Sequence, residues 1–130
     1  MITLANIRDY IKQLAIADNH YIGKLDNKKD KSIGVYSLKR GSPPVTAISG
    51  NSTYDIIGVS IFIHWNNNAN ETEIIARKLY EKLRTVKQLK INNTQIYMIQ
   101  LLVPEPVDIG TDNKGVYERV IEMDIYYERK

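Results

Sequence analysis

The sequence predicts an α+β fold in which an antiparallel or mixed β-sheet is flanked by two α-helices. Two segments with helical spacing of apolar residues predict the helices, one at the N-terminus and one near residues 70–90. Several runs of alternating apolar residues lie between and after these segments, and they predict the strands. Because the chain has 130 residues and shows no internal repeat, we expect one domain over residues 1–130.

The first predicted helix begins at Thr3, whose hydroxyl can cap it, and Ile2 can pack on Ile7 across the cap. One face of this helix carries the apolar residues Leu4, Ile7, Ile11 and Leu14. We expect the helix to end near Ala17, because two polar residues follow.

Two short strands are predicted after this helix, at residues 20–25 and 32–39. The polar segment between them has the composition of a turn. Residues 40–44 contain paired prolines, which fix φ and remove backbone donors, so we expect a loop that continues to residue 52.

The clearest interior strand is predicted at residues 53–66. One face of it alternates through Ile57, Val59, Ile61, Ile63 and Trp65. The other face is mixed and carries Tyr54, Ile56, Ser60, Phe62 and His64. A strand of this kind packs one face on the core.

The second predicted helix lies within residues 66–90. Asn70 followed by Glu73 resembles a capping box and predicts the start of the helix. The predicted buried stripe consists of Ile75, Leu79, Leu83 and Val86, with Ala76 beside it. Acidic residues in the first turn and lysines near the end suit the helix dipole.

The C-terminal part of the chain predicts a strand at residues 94–103, a loop at 104–115 and a long closing strand at 115–130. One face of the closing strand carries Tyr117, Ile121, Met123, Ile125 and Tyr127, and Arg119 interrupts it. The opposite face carries Glu118, Glu122, Asp124 and Glu128. We expect the apolar face to pack on the core and the acidic face to meet water or a partner.

The composition excludes some kinds of site. There is no cysteine, which removes disulfides and thiolate metal sites. The net charge of +3 is too small to indicate nucleic-acid binding by itself. The N-terminus lacks the uninterrupted apolar core of a signal peptide, and no run approaches the ~20 apolar residues of a membrane span. We therefore expect a soluble protein that is made in the cytoplasm and has no membrane partner.

No catalytic motif stands out in the sequence. The two histidines, His20 and His64, have no serine and acid at a spacing that indicates a triad. The carboxylates of Glu118, Glu122 and Asp124 could hold a hard cation, but such a face is more often exposed to solvent. The glycines form no phosphate-binding motif, and the nine tyrosines suit a protein interface. We expect no cofactor and no metal.

The C-terminal segment "VDIGTDNKGVYERVIEMDIYYER" resembles the end of the minor capsid and tail-terminator proteins of long-tailed bacteriophages of Gram-positive hosts. The residues that carry the resemblance are Pro106, Gly110, Asp112, Gly115, Tyr117, Glu118, Val120, Ile125, Tyr126, Tyr127, Glu128 and Arg129. The order of helices and sheets fits the same family more loosely over nearly the whole chain.

This resemblance implies a tail-terminator-like fold and a non-enzymatic structural role. Members of the family cap the tail tube at its final length and form a surface for joining to the head. It implies a homo-hexameric ring at the head-proximal end of the virion tail. The implied partners are the major tail tube protein, a head-completion protein, and genomic DNA that passes through without sequence-specific binding.

Within a ring of this kind, two sets of residues become candidate sites. The acidic face of the closing strand, with Glu118, Glu122, Asp124 and Glu128, could line the channel or contact a neighbouring subunit. Three loops, at residues 27–34, 39–52 and 104–115, could form assembly contacts, and the candidate contact residues in them are Lys28, Lys29, Lys31, Arg40, Asp108, Asp112 and Lys114.

Three other functions remain open from the sequence. One is a head-closure or connector protein of the same virion joint. Another is a small metal-dependent nuclease that uses Glu118, Glu122 and Asp124. A third is a regulatory or ligand-binding α+β domain.

Overall fold

Two helices and one seven-stranded sheet form the fold. The computed structural model describes residues 1–38 and 54–129. In chain order the elements are α1 (Leu4–Gln13), β1 (Asn19–Ile22), β2 (Ser32–Ser37), β3 (Tyr54–His64), α2 (Ala69–Arg84), β4 (Leu89–Ile91), β5 (Thr94–Leu101), β6 (Val107–Thr111) and β7 (Tyr117–Glu128). The loop predicted over residues 40–52, including Arg40, lies outside the described residues.

The sheet is mixed, with strand order β1-β2-β3-β7-β5-β4 and β6 paired to β7. Strands β1 and β2 are parallel, and the other pairs are antiparallel. At the centre, β3 and β7 pair from Tyr54↔Glu128 to His64↔Glu118. Strands β5 and β6 lie one after the other along the opposite edge of β7. The predicted α+β class is confirmed.

Both helices pack on the same face of this sheet. Helix α1 contacts β1 and β2 at one end of the strand order and β4 at the other end, which requires the sheet to curl around it. Helix α2 contacts β5 and β7. The core contains Ile7, Ile11, Ile33, Val35, Val59, Ile61, Ile63, Ala76, Leu79, Leu83, Ile121, Met123 and Ile125. The apolar faces predicted for the two central strands are therefore confirmed.

The predicted start of α1 is confirmed, but its predicted end is wrong. The Thr3 hydroxyl accepts a hydrogen bond from the Asn6 N–H at 3.3 Å, and the Asn6 side chain accepts one from the Thr3 N–H at 2.9 Å. The helix ends at Gln13, four residues before Ala17, because Ala15 adopts a left-handed φ of 56°.

Helix α2 is capped by Asn68 and not by Asn70. The Asn68 side chain accepts a hydrogen bond from the Glu71 N–H at 3.0 Å, and the Asn66 side chain donates one to the Glu71 carboxylate at 2.9 Å. Glu71 lies in the first turn, and the Asn66 amide lowers its pKa. The buried stripe consists of Thr72, Ala76, Leu79 and Leu83, whereas Ile75 and Val86 of the predicted stripe are only partly buried.

Two strands that the sequence analysis missed complete the sheet. The predicted second helix included residues 89 and 90, yet these residues and Ile91 form β4, which returns through Asn92 and Asn93 into β5. Both asparagines have left-handed φ values of 50° and 57°, as a two-residue type I′ hairpin requires. Residues 107–111 were predicted as loop, yet they form β6 on the edge of β7.

The ends of the three remaining strands differ slightly from the predictions. Strand β1 stops at Ile22 and not at residue 25, because Gly23 has a left-handed φ of 66°. Strand β2 stops at Ser37 and β5 at Leu101, each before its predicted end.

No helix in the described part of the chain is long and apolar enough to cross a membrane.

Candidate functional site

One face of the sheet carries no helix within the described residues, and we call it the helix-free face. Its position follows from the register of β3 and β7, in which Phe62 lies opposite Val120, Ser60 opposite Glu122, and Ile56 opposite Tyr126. Alternation along the strands places all these residues on the side away from the core. The face includes Tyr36, Tyr54, Ile56, Ser60, Phe62, Val120, Glu122, Asp124 and Tyr126.

The helix-free face is rich in aromatic contacts. The rings of Tyr36 and Phe62 meet edge to face, with centroids 6.3 Å apart. The rings of Tyr54 and Tyr126 lie 5.8 Å apart, and the Tyr126 hydroxyl donates a hydrogen bond to the Gln100 side chain at 3.0 Å. Tyrosines with one apolar side and one polar tip are frequent at protein interfaces.

The four predicted acidic residues all lie on the helix-free side of β7, but in different surroundings. Asp124 is only 3% exposed, although the sequence predicted that its face meets water or a partner. The Glu118 carboxylate contacts His64 at 2.8 Å. The Glu128 carboxylate accepts a hydrogen bond from the Gln95 N–H at 2.8 Å. Glu122 is partly exposed between these residues. The four side chains therefore do not form a continuous acidic stripe in the isolated chain.

An edge of exposed apolar side chains borders the helix-free face. This apolar edge consists of Tyr97, Met98, Leu102, Val107 and Ile109, from β5, β6 and the segment between them. Met98 and Val107 lie opposite Tyr126 and Val120 on β7. Strand β6 pairs with β7 alone in the part of the chain that the structure describes. An apolar strand edge of this kind can pair with another chain.

The predicted assembly loops differ in structure. Lys28 and Lys29 are exposed in a turn that the Asp26 carboxylate closes by accepting from the Lys28 N–H at 3.0 Å. Lys31 is partly buried, and its backbone N–H donates to the carbonyl oxygen of Trp65 at 2.7 Å. The basic loop is therefore anchored at one end and exposed at its tip.

The remaining loop residues lie in and beside the β6–β7 hairpin. Asp108 belongs to strand β6 and not to a loop, and its carboxylate lies 3.6 Å from Arg119. Asp112 closes the turn by accepting hydrogen bonds from the N–H groups of Lys114 and Val116, each at 2.9 Å. Lys114 is exposed at the tip of this turn.

Arg119 explains the interruption in the apolar face of β7. Its side chain is 15% exposed and lies between Glu73 of α2, at 3.8 Å, and Asp108 of β6, at 3.6 Å. It also donates to the Pro106 carbonyl at 3.5 Å. This cation at the rim of the core joins α2 to the β6–β7 hairpin.

A group that the sequence analysis missed lies at the end of β3. His64 is fully buried, and its Nδ1 lies 2.8 Å from the Glu118 carboxylate on the paired strand. Its Nε2 lies 3.9 Å from Oδ2 of Asp112 in the β6–β7 turn. The Val116 N–H lowers the pKa of Asp112 most, and the Lys114 N–H and the nearby Lys114 charge add to this effect. The register that brings these residues together cannot be read from local sequence.

The three carboxylates of the nuclease hypothesis, Glu118, Glu122 and Asp124, are not grouped where one metal ion could contact all of them. Within residues 1–38 and 54–129, the side chains that could converge on one ion are His64, Asp112 and Glu118. Glu122 and Asp124 are not part of that group, and Asp124 is buried. The described geometry does not favour a metal-dependent nuclease that uses Glu118, Glu122 and Asp124.

Comparison with known proteins gave one result that covers nearly the whole chain. The family model described as bacteriophage tail terminator protein matches residues 2–129. No curated protein matches the chain.

Proposed function

The chain belongs to the bacteriophage tail terminator family, and from this premise we propose that it closes the head-proximal end of the phage tail tube at its final length. The match confirms the family that the C-terminal residues resemble. The family is one of structural phage tail proteins that act with other tail proteins in the virion. The family match is the single observation that carries the proposal.

The working form that we propose is a homo-hexameric ring around the path of the DNA. A closed ring repeats one heterologous contact, so each subunit needs two different surfaces that fit each other. The apolar edge supplies one such surface. A neighbouring subunit that covers exposed apolar residues on a strand edge removes them from water, which favours association. The tip of the basic loop, with Lys28 and Lys29, and the β6–β7 turn, with Lys114, are further contact segments in this proposal.

The same ring would contact different partners on its two sides. We propose that one side binds the major tail tube protein and the other binds a head-completion protein. Genomic DNA would pass through the centre without sequence-specific contacts. The described surfaces support this arrangement by combining an apolar edge with an aromatic face, as protein interfaces commonly do.

The acidic residues of β7 are proposed to face the channel or a neighbouring subunit. An acidic channel wall would repel DNA phosphates and let the genome slide. Glu118 and Glu128 are already engaged by His64 and by the Gln95 backbone, and Asp124 is buried. Glu122 is therefore the residue at which this proposal is tested most cleanly.

Replacing Glu122 by lysine should impair DNA passage while the chain stays folded. Because Glu122 is only partly buried, we expect the free energy of unfolding to change by about 1 kcal/mol or less. The matched control is Glu122→Gln, which removes the charge without reversing it and should have the smaller effect. The measurement is the yield of infectious phage and the rate of DNA ejection. Yields and ejection rates from both variants that equal those of the wild type would show that the charge at this position does not matter.

Loss of the gene from its phage should give tails of uncontrolled length that fail to join heads. The measurement is the distribution of tail lengths by electron microscopy, with and without the wild-type chain supplied in trans. Overlong tails that return to uniform length on complementation would support the proposal. Tails of normal length that remain unjoined would contradict it and indicate a head-closure or connector protein.

A further inference from the structure

His64, Asp112 and Glu118 lie where β3, β7 and the β6–β7 turn meet, and we propose that they form a site for a divalent transition-metal ion of the zinc class. Each of the three offers one ligand atom, and these atoms lie within 4.8 Å of one another. A second observation points to the same place. His64 is 0% exposed, and its Nε2 is buried without a hydrogen-bond partner in the described part of the chain.

The hydrogen bond on the other side of the ring determines which nitrogen is available. A carboxylate can only accept a hydrogen bond, so the 2.8 Å contact between Glu118 and Nδ1 places the ring hydrogen on Nδ1. In the neutral imidazole, Nε2 then carries a lone pair. A carboxylate that holds the second nitrogen of a metal-binding histidine in this way is a common arrangement. Glu118 is thus a positioning residue, and His64 is the ligand.

The carboxylate of Asp112 faces Nε2 of His64 from the β6–β7 turn. Its Oδ1 accepts the N–H groups of Lys114 and Val116, which fixes the orientation of the carboxylate. Its Oδ2 lies 3.9 Å from Nε2 of His64. When the imidazole is neutral, Nε2 and the Asp112 oxygen are both electron-rich and repel across this distance, and a cation between them makes both contacts favourable.

The distance between the two atoms fits one ion. Zinc lies about 2.0–2.1 Å from an imidazole nitrogen and about 2.0–2.2 Å from a carboxylate oxygen, so a single ion can reach both atoms across 3.9 Å. Closing the gap by about 0.5 Å gives the tetrahedral angle. Imidazole favours zinc and similar ions over magnesium and calcium. Water would complete the coordination, and the ion would join the β6–β7 turn to the end of β3.

The test is calorimetric titration of the isolated, chelator-treated chain with ZnCl₂ at neutral pH, so its outcome does not depend on the proposed tail function. We expect one ion per chain and a melting temperature that rises with zinc concentration. His64→Gln should weaken binding at least tenfold, and Glu118→Gln should weaken it about 10–100-fold. The matched control is His20→Gln, which removes the other histidine of the chain and should leave zinc binding unchanged.

Asp112→Asn keeps the test valid if His64→Gln fails to fold. The asparagine oxygen can still accept the N–H groups of residues 114 and 116, and its NH₂ group can donate to Nε2 of His64. We therefore expect this variant to be at least as stable as the metal-free wild type and to lose zinc binding at least tenfold. Three results would each overturn the proposal. These are no zinc binding by the wild type, binding that survives His64→Gln and Asp112→Asn, and stability that responds to pH but not to zinc.

Discussion

Replacing Met98 and Val107 together by glutamate is expected to abolish assembly of the chain on tails while leaving the subunit folded. Both residues belong to the apolar edge and are 46% and 42% exposed. In the proposed ring a neighbouring subunit covers this edge. Two buried carboxylates at that interface would lose hydration without gaining partners, and charged groups buried in this way are costly.

The expected size of the effect comes from the behaviour of buried interface positions. Truncating one of the few hot-spot residues near the centre of an interface costs about 2 kcal/mol or more, which is about thirtyfold in affinity for each contact. A ring repeats the contact at every interface, so the loss multiplies around the ring. The measurement is co-sedimentation of the purified variant with isolated tail tubes, together with the yield of joined phage.

The matched control for this variant is Ile74→Glu on the outer side of α2. Ile74 is 56% exposed, so the substitution changes a surface of similar exposure on the other side of the sheet. We expect the free energy of unfolding of both variants to lie within about 1 kcal/mol of the wild-type value, because substitutions of exposed residues rarely cost more. Normal assembly by the edge variant, with loss of assembly by Ile74→Glu, would place the contact surface on the helices instead.

Replacing Leu79 by alanine is expected to lower the free energy of unfolding by about 2–5 kcal/mol. Leu79 is fully buried on α2, where the helix contacts β5 and β7. Removal of its branched end leaves a cavity between α2 and the sheet, because the neighbouring core residues cannot close it fully. A domain of this size commonly has only about 5–15 kcal/mol of stability, so the loss should be a large fraction of the total.

Urea unfolding of Leu79→Ala and Ile74→Ala measures this difference on the same helix. Ile74→Ala should change stability by no more than about 0.5 kcal/mol, because the side chain is exposed and alanine favours helix. The midpoint should fall for Leu79→Ala with little change in slope. Equal midpoints for the two variants would mean that α2 does not cover the sheet as described.

The elements that were predicted correctly are those whose signal is local. Thr3 and the residues after it form a capped amphipathic helix. Along β3 and β7, apolar side chains recur at every second residue over most of each strand. Such patterns depend on side chains within one element. The predicted start of α2 was wrong because several asparagines precede the helix and each is a good cap, whereas in the structure the Asn68 side chain accepts the Glu71 N–H.

Of the two strands that were missed, only β6 depends on a distant part of the chain. Strand β6 is short and contains Gly110, and it becomes a strand because β7 offers it an edge. Strand β4 has a local signal in Asn92 and Asn93, which is typical of a hairpin turn, but the predicted second helix runs to residue 90 and covers the segment before it.

The candidate site divides in the same way. The pattern of β7 placed Glu118, Glu122, Asp124 and Glu128 on one face, and the structure keeps them there. Their different surroundings come from residues far away in sequence, such as His64 beside Glu118 and Gln95 beside Glu128. The grouping of His64 with Asp112 needs both the β3–β7 register and the β6–β7 turn, and no single segment contains that information.

The measurement that tests the tail-terminator account most directly is the addition of the purified chain to growing tubes of its own phage's major tail tube protein. The account predicts that the chain binds one end of each tube and stops elongation there, and that electron microscopy shows a ring of about six subunits at that end. Continued growth of the tubes at both ends in the presence of excess folded chain would contradict it.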